Sequence, residues 1–243
     1  MAASDIGASI SLPREDAGMP ESRGDRMHIG PLPATPRGLV LMLHGGAEHG
    51  HDEIDHRSLA YRRTRWMFAA ISGRLVDRGV GVALLRFTVR GWGAVDAPVP
   101  PPVSDARAAL ERLADEHPDL PVVLLGHSMG ARAAVRVADH PAVAGVVGLA
   151  PWLPPDDPVH PLTGKHLVAA HGRRDRITSP RASTKYVRRA QEVAASARFV
   201  DMGPLGHYML AGVRRWNATA VTESLGVLDR GTTDAVSGIT SRD

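Results

Sequence analysis

One pentapeptide in this chain has a chemistry that can be named at once: Gly126-His127-Ser128-Met129-Gly130. A serine hydroxyl is a weak nucleophile until a base takes its proton and N–H donors hold the oxyanion that its attack creates. The G-x-S-x-G spacing suits a tight turn from strand to helix. Glycines on both sides remove Cβ atoms that would clash there, and Ser128 stands on a strained corner with its hydroxyl exposed. The following helix aims its first N–H groups and the positive end of its dipole at the same point. The plainer alternative is a strand-helix turn with an ordinary N-cap serine.

The base for such a serine is His207, in the loop Gly203-Pro204-Leu205-Gly206-His207-Tyr208. Its near-neutral pKa lets it shuttle the hydroxyl proton. The chain has 12 histidines, so an idle loop histidine is the alternative. Asp175, in His171-Gly172-Arg173-Arg174-Asp175-Arg176, can accept from imidazole Nδ1 and fix its tautomer. Its alternative is a surface ion pair with Arg173, Arg174 or Arg176. For the oxyanion hole the candidate donors are the N–H of Met129 and that of Gly46, in His44-Gly45-Gly46-Ala47. Ala47, Trp152 and Leu153 are candidate substrate contacts, although a tryptophan packed on the rim of the core is an equal reading of Trp152.

These residues need elements to hold them, and the hydrophobic pattern supplies a series. Apolar runs at Leu39–Leu43, Val80–Leu85, Val122–Leu125, Val143–Leu149, His166–Ala170 and Arg198–Met202 predict strands. Helical spacing links Trp66, Met67, Ala70, Ile71 and Leu75, with Gly79 closing that helix. Ser104 is the expected N-cap of a second helix, which Pro118 ends. Further helices are expected through Ala131–Ala138, over Tyr186–Ala195 and between Ala211 and Leu228. The β-α alternation and the continuously apolar strands predict a single α/β domain, a mostly parallel central sheet with helices on both faces. Ligand sites in such sheets lie beyond the carboxyl ends of the strands, where each candidate residue falls. The expected domain covers residues 37–230. Residues 1–36 read as an extension, partly disordered or a short hairpin from Ser9–Leu12 and Met27–Ile29. Residues 231–243 read as a disordered tail.

Taken together, the motifs resemble the α/β-hydrolase superfamily, over roughly Gly38 to Leu228. They are Leu43-His44-Gly45-Gly46, Gly126-His127-Ser128-Met129-Gly130, His171-Gly172-x-x-Asp175-x-Ile177-Thr178 and Gly206-His207, with the triad in the order Ser, Asp, His. Arg86-Phe87-x-x-Arg90-Gly91-Trp92-Gly93 is similar to a loop that many members carry beside the oxyanion loop. The resemblance implies a serine hydrolase acting on a small-molecule ester or thioester through an acyl-enzyme, with no metal and no organic cofactor. Residues 151–165 are too few for a multi-helix cap, so the site is expected to be open, shielded at most by Glu48–Arg65. A peptidase or amidase on the same triad, or a non-catalytic binding protein on the scaffold, are the alternatives.

Composition narrows the rest. With no cysteine, disulfides and thiolate metal sites are excluded, and a cytoplasmic setting is expected. No signal peptide and no membrane span are read in the sequence. The net charge of +3 comes with basic clusters in Tyr61–Arg65 and Arg173–Arg176, but no nucleic-acid module accompanies them. His44, His49, His51 and His56, with Glu48, Asp52, Glu53 and Asp55, offer metal ligands in none of the recognised spacings, so a solvated loop is expected. Asp156-Asp157 is a candidate acidic pair for a peptide amine, but Pro-Asp-Asp-Pro is more often simply a turn. The oligomeric state is left open.

Overall fold

The computed structural model describes residues 26–93 and 98–240. Its strands are β1 (Met27–Ile29), β2 (Gly38–Leu43), β3 (Val80–Leu85), β4 (Val122–His127), β5 (Val143–Leu149), β6 (His166–His171) and β7 (Ser196–Asp201). They form one sheet in the order β1-β3-β2-β4-β5-β6-β7. All neighbours are parallel except β1, which pairs antiparallel with β3, Met27 opposite Leu85. Every residue of β2, β3, β4 and β6 is buried, so these strands carry no polar alternation.

The helices are α1 (Leu59–Val76), α2 (Pro101–Glu116), α3 (Met129–Arg136), α4 (Pro180–Ala190) and α5 (Val213–Thr240). Gly145 of β5 faces Val227 of α5, and Gly148 faces Ala131 of α3. Positions three apart on a strand point to opposite faces, so α3 and α5 lie on opposite sides of the sheet. Helix α1 packs beside α5, α2 beside α3, and α4 covers β6 and β7. Burying each large aliphatic side chain between these layers stabilises the fold by roughly 1.5–3 kcal/mol.

Four local expectations change. Helix α2 begins at Pro101, so Ser104 lies inside it rather than capping it. Proline is favoured in the first turn, where its missing N–H has no partner to lose. The buried stripe of α1 runs through Tyr61, Thr64, Met67, Phe68, Ile71 and Leu75, leaving Trp66 51% exposed under the Arg62 guanidinium. Helix α4 runs from Pro180 to Ala190 where Tyr186–Ala195 is expected, capped by Ser179, whose hydroxyl accepts from the Ala182 N–H at 3.2 Å. Helix α5 runs to Thr240, through the segment read as a tail; Thr232 and Thr233 hydroxyls bond the carbonyls of Leu228 and Asp229 one turn back. Of the two N-terminal extended pieces, Met27–Ile29 joins the sheet edge, and Ser9–Leu12 lies outside the described residues.

Candidate active site

Strand β4 delivers Ser128 directly into the start of α3, with φ 52° and ψ −115°. A non-glycine residue reaches that region only when its surroundings hold it there. Those surroundings are tight. A Cβ on Gly126 would lie 2.4 Å from Ala131 N, and one on Gly130 would lie 2.3 Å from the Leu43 carbonyl oxygen. The Ser128 N–H donates to Leu149 O at 3.1 Å, and its carbonyl accepts from Trp152 N at 3.1 Å and Ala131 N at 3.1 Å. The corner is thus fixed from β5 as well as from its own helix.

The loop after β2 is fixed just as closely. His44 is fully buried; its Nδ1–H donates to Gly45 O at 2.6 Å, and its Nε2 accepts from Phe87 N at 3.0 Å. Burial lowers its pKa from 6.5 to about 4, so the ring stays neutral and keeps that tautomer. Ala47 N donates to Arg90 O at 2.9 Å and Trp92 N donates to Ala47 O at 3.0 Å, which ties the loop to the segment after β3. Gly46 packs against the Met129 side chain, where a Cβ would stand 2.3 Å from Met129 Cε. Gly46 and the start of α3 therefore meet at Ser128.

Asp175 and His207 come from the turns after β6 and β7. His207 Nδ1–H donates to Asp175 Oδ2 at 2.8 Å. The same oxygen accepts from His171 Nε2–H at 3.0 Å and from the Thr178 hydroxyl at 3.0 Å. Asp175 Oδ1 accepts from the N–H groups of Ile177 and Thr178 at 2.8 and 2.9 Å. Burial pushes the carboxyl pKa up, but the donors of His171, His207, Thr178 and Ile177 together hold it well below its usual range. None of the flanking arginines pairs with it; Arg173 binds Asp201 instead. The surface-ion-pair alternative for Asp175 therefore does not describe its setting.

His171 donates through Nε2, so its Nδ1 accepts from the Ser183 hydroxyl at 2.9 Å. His127, next to Ser128, donates through Nε2 to the His207 carbonyl at 3.1 Å, and its ring lies 5.0 Å from that of His207. Burial lowers its pKa to about 3, with the charge of a protonated His207 acting in the same direction.

Ser128 and His207 open on one cavity of about 750 Å³. Gly45, Gly46 and His127 line its inner end. Its outer wall is the 52–60 segment, stapled to the loop after β3 by Ile54 N to Thr88 O, Arg90 N to Asp52 O and Arg86 Nη1 to Ile54 O. Of the candidate substrate contacts, Ala47, Trp152 and Leu153 are not among the lining residues. Leu153 is buried in the core, and the Arg132 guanidinium sits in the corner formed by the Trp152 and Trp92 rings, 4.3 and 4.2 Å from their centres. Arg132 in turn holds Asp157 through two bonds of 2.6 and 2.8 Å. Between β5 and β6 only a short 3₁₀ turn, His160–Leu162, interrupts the loop, and no cap stands over the cavity from that side.

The residues that spacing alone does not reveal are His171, Thr178 and His127. A histidine four residues before the acidic candidate is visible in the sequence, but its bond to Asp175 exists only once the turn folds back. Among the described residues no three His, Asp or Glu side chains are placed so that they could hold a metal ion, and no helix is long and apolar enough to cross a membrane.

The profile of the Alpha/beta hydrolase family matches residues 40–239. The chain belongs to the α/β-hydrolase family. Solved α/β-hydrolases similar to it include an α/β serine hydrolase homologue from Coxiella burnetii, at 16% identity and a TM-score of 0.59, covering 81% of this chain and 90% of that one. A serine hydrolase without a lid from Xanthomonas campestris is similar at 17% identity and TM-score 0.55, over 86% and 87% of the two chains. A propionate-bound thermophilic esterase from Thermogutta terrifontis is similar at 15% identity and TM-score 0.61, over 86% and 89%. At such identities the likeness is one of fold. No functionally curated protein matches this α/β-hydrolase in sequence.

Proposed function

We propose that this α/β-hydrolase cleaves a carboxylic ester or thioester through an acyl-enzyme on Ser128, with His207 as base and Asp175 as its orienting partner. The observation that carries the reading is the Asp175–His207 bond of 2.8 Å, made in a buried network that opens on the same cavity as Ser128. An ionised Asp175 can only accept, so His207 Nδ1 holds a proton and Nε2 presents a lone pair. Nε2 takes the Ser128 proton as Oγ bonds to the substrate carbonyl carbon. The Met129 and Gly46 N–H groups are the proposed donors to the resulting oxyanion. His207 returns the proton to the leaving alcohol or thiol as its bond to carbon breaks. Water then attacks the acyl-enzyme, gives its proton to His207, and releases the acid and free Ser128.

The lidless outline of a Xanthomonas neighbour and the propionate bound to a Thermogutta esterase support a small ester over a buried lipid chain. The Asp156-Asp157 pair is unsuited to a peptide amine in this setting, because the Asp157 charge is taken up by Arg132. A chain without cysteine fits action in the cytoplasm. The test is hydrolysis of p-nitrophenyl esters from acetate to palmitate by wild type and Ser128→Ala. Turnover is expected with short acyl chains and to fall by about 10⁴-fold or more in the variant. Equal rates in the two proteins would overturn the serine mechanism.

A further inference from the structure

The cavity beside Ser128 holds one charged group set apart from the rest. Asp52, Glu53, Asp55, Arg57 and Arg90 line its mouth, all in exposed positions where water and each other's charges compensate them. Arg63, one turn into α1, is different. It is half-buried, its Nε is sealed from solvent, and among the described residues no acceptor meets it. Its guanidinium carbon lies 5.0 Å from the centre of the Tyr208 ring, which itself stands edge-on to His207 at 5.5 Å. Arg63 therefore reaches the reaction end of the cavity along the side of the ring that follows the base.

A guanidinium has five donors in a planar fork and remains charged even when burial lowers its pKa, as it does here. Removing such a group from water without a carboxylate partner costs free energy that a bound anion would restore. Among the described residues no carboxylate forms an ion pair with Arg63, and the Tyr208 ring is the group its guanidinium packs against. Arg63 lines the cavity on which Ser128 and His207 open.

We propose that Arg63 is a specificity-determining residue and that the substrate is an ester carrying one free carboxylate, which Arg63 binds. The shape of the charge pattern favours a monoanion. Asp52, Glu53 and Asp55 at the mouth repel a multiply charged group, whereas a single carboxylate gains a bidentate partner inside. The rest of the molecule meets apolar surface: Leu59 and Leu210 are 71% and 65% exposed at the rim, and Ile54 lies between them and the interior. This inference rests on the proposed serine hydrolase reading for its reaction, but not for its binding.

The test compares matched esters that differ in a carboxylate against a methyl group. One pair, mono-p-nitrophenyl glutarate and p-nitrophenyl valerate, places the charge on the acyl side. The other, 4-acetoxybenzoate and p-tolyl acetate, places it on the leaving side. In at least one pair the ratio of kcat/KM, charged over neutral, is expected to fall by about 10- to 100-fold in Arg63→Met, chiefly through KM, and to recover in part in Arg63→Lys. Ratios unchanged by Arg63→Met in both pairs would overturn the proposal. Calorimetric titration of the same esters into Ser128→Ala, with and without Arg63→Met, reads the preference without turnover. If wild type hydrolyses none of the four esters, the reaction assignment fails while the calorimetric ratio still decides the role of Arg63. A variant that does not fold is replaced by Arg63→Gln, read by the same ratios.

Discussion

The two walls of the cavity are built on opposite terms. Behind the inner wall both carboxylate oxygens of Asp175 are bonded, His207 and His171 share one of them, and burial keeps His127 and His44 as neutral rings. On the outer wall charges stand in solvent, leucines are exposed, and the Arg63 guanidinium has no counter-ion among the described residues. The bonded buried network around Asp175 fixes positions, since each group that moves loses a bond in a low-dielectric setting, and His127 Nδ1 is its one fully buried ring nitrogen without a partner among the described residues. An unsaturated surface holds binding capacity that a ligand can use. On the proposed reading, the inner wall serves the chemistry and the outer wall the choice of substrate.

That division can be broken most sharply at Asp175. Asp175→Asn keeps the shape but presents an N–H where His207 needs an acceptor, and kcat is expected to fall by about 10⁴-fold, read on the best p-nitrophenyl ester. A drop under tenfold would mean that the inner network does not position the base. Next comes His171→Phe, which fills the same space but removes one donor from Asp175 Oδ2. A fall in kcat of roughly 10- to 100-fold is expected, on the scale of one charged hydrogen bond, with KM little changed.

The inner wall also makes a pH prediction. His44 and His127 are depressed from 6.5 to about 4 and about 3. Between pH 6.5 and those values the unfolded chain binds protons that the folded chain refuses. Their stabilisation is complete above pH 6.5 and is lost as pH falls, by about 1.4 kcal/mol per pH unit for each ring. Asp175, also depressed, adds its own loss only below pH 3.8. Thermal melts should therefore fall steeply from pH 6.5 to 4; a flat profile would show these rings to be solvated. The smallest effects belong to the outer wall. Leu210→Ser is expected to change stability by no more than about 0.5 kcal/mol, measured by urea unfolding, because its side chain is already in water.

The same contrast decides what is legible in the sequence. The strands are legible because burial on both faces forces continuous apolar runs, and Val80–Leu85 and Val143–Leu149 match their elements end to end. The glycines of the elbow are legible because a close approach excludes every other residue. The start of helix α2 is not, since prolines that look like a loop also suit a first turn. The face of α1 is misplaced by part of a turn at Trp66, because tryptophan is apolar wherever it points. His171, Thr178 and Arg63 depend on partners far along the chain or in another turn, and local spacing carries no record of such meetings.

The backbone of Ser128 has one more consequence. At φ 52° and ψ −115° a side chain costs on the order of 1–3 kcal/mol relative to an unstrained position, and only glycine escapes that cost. Ser128→Ala and Ser128→Gly are both expected to be inactive, yet they differ in this one respect. The glycine variant should melt higher by the strain less the added freedom of its unfolded chain, about 0.4–1 kcal/mol. Two dead proteins would then measure how much durability the living one gives up, and mark this single position as the place where selection for thermal endurance and selection for turnover pull in opposite directions.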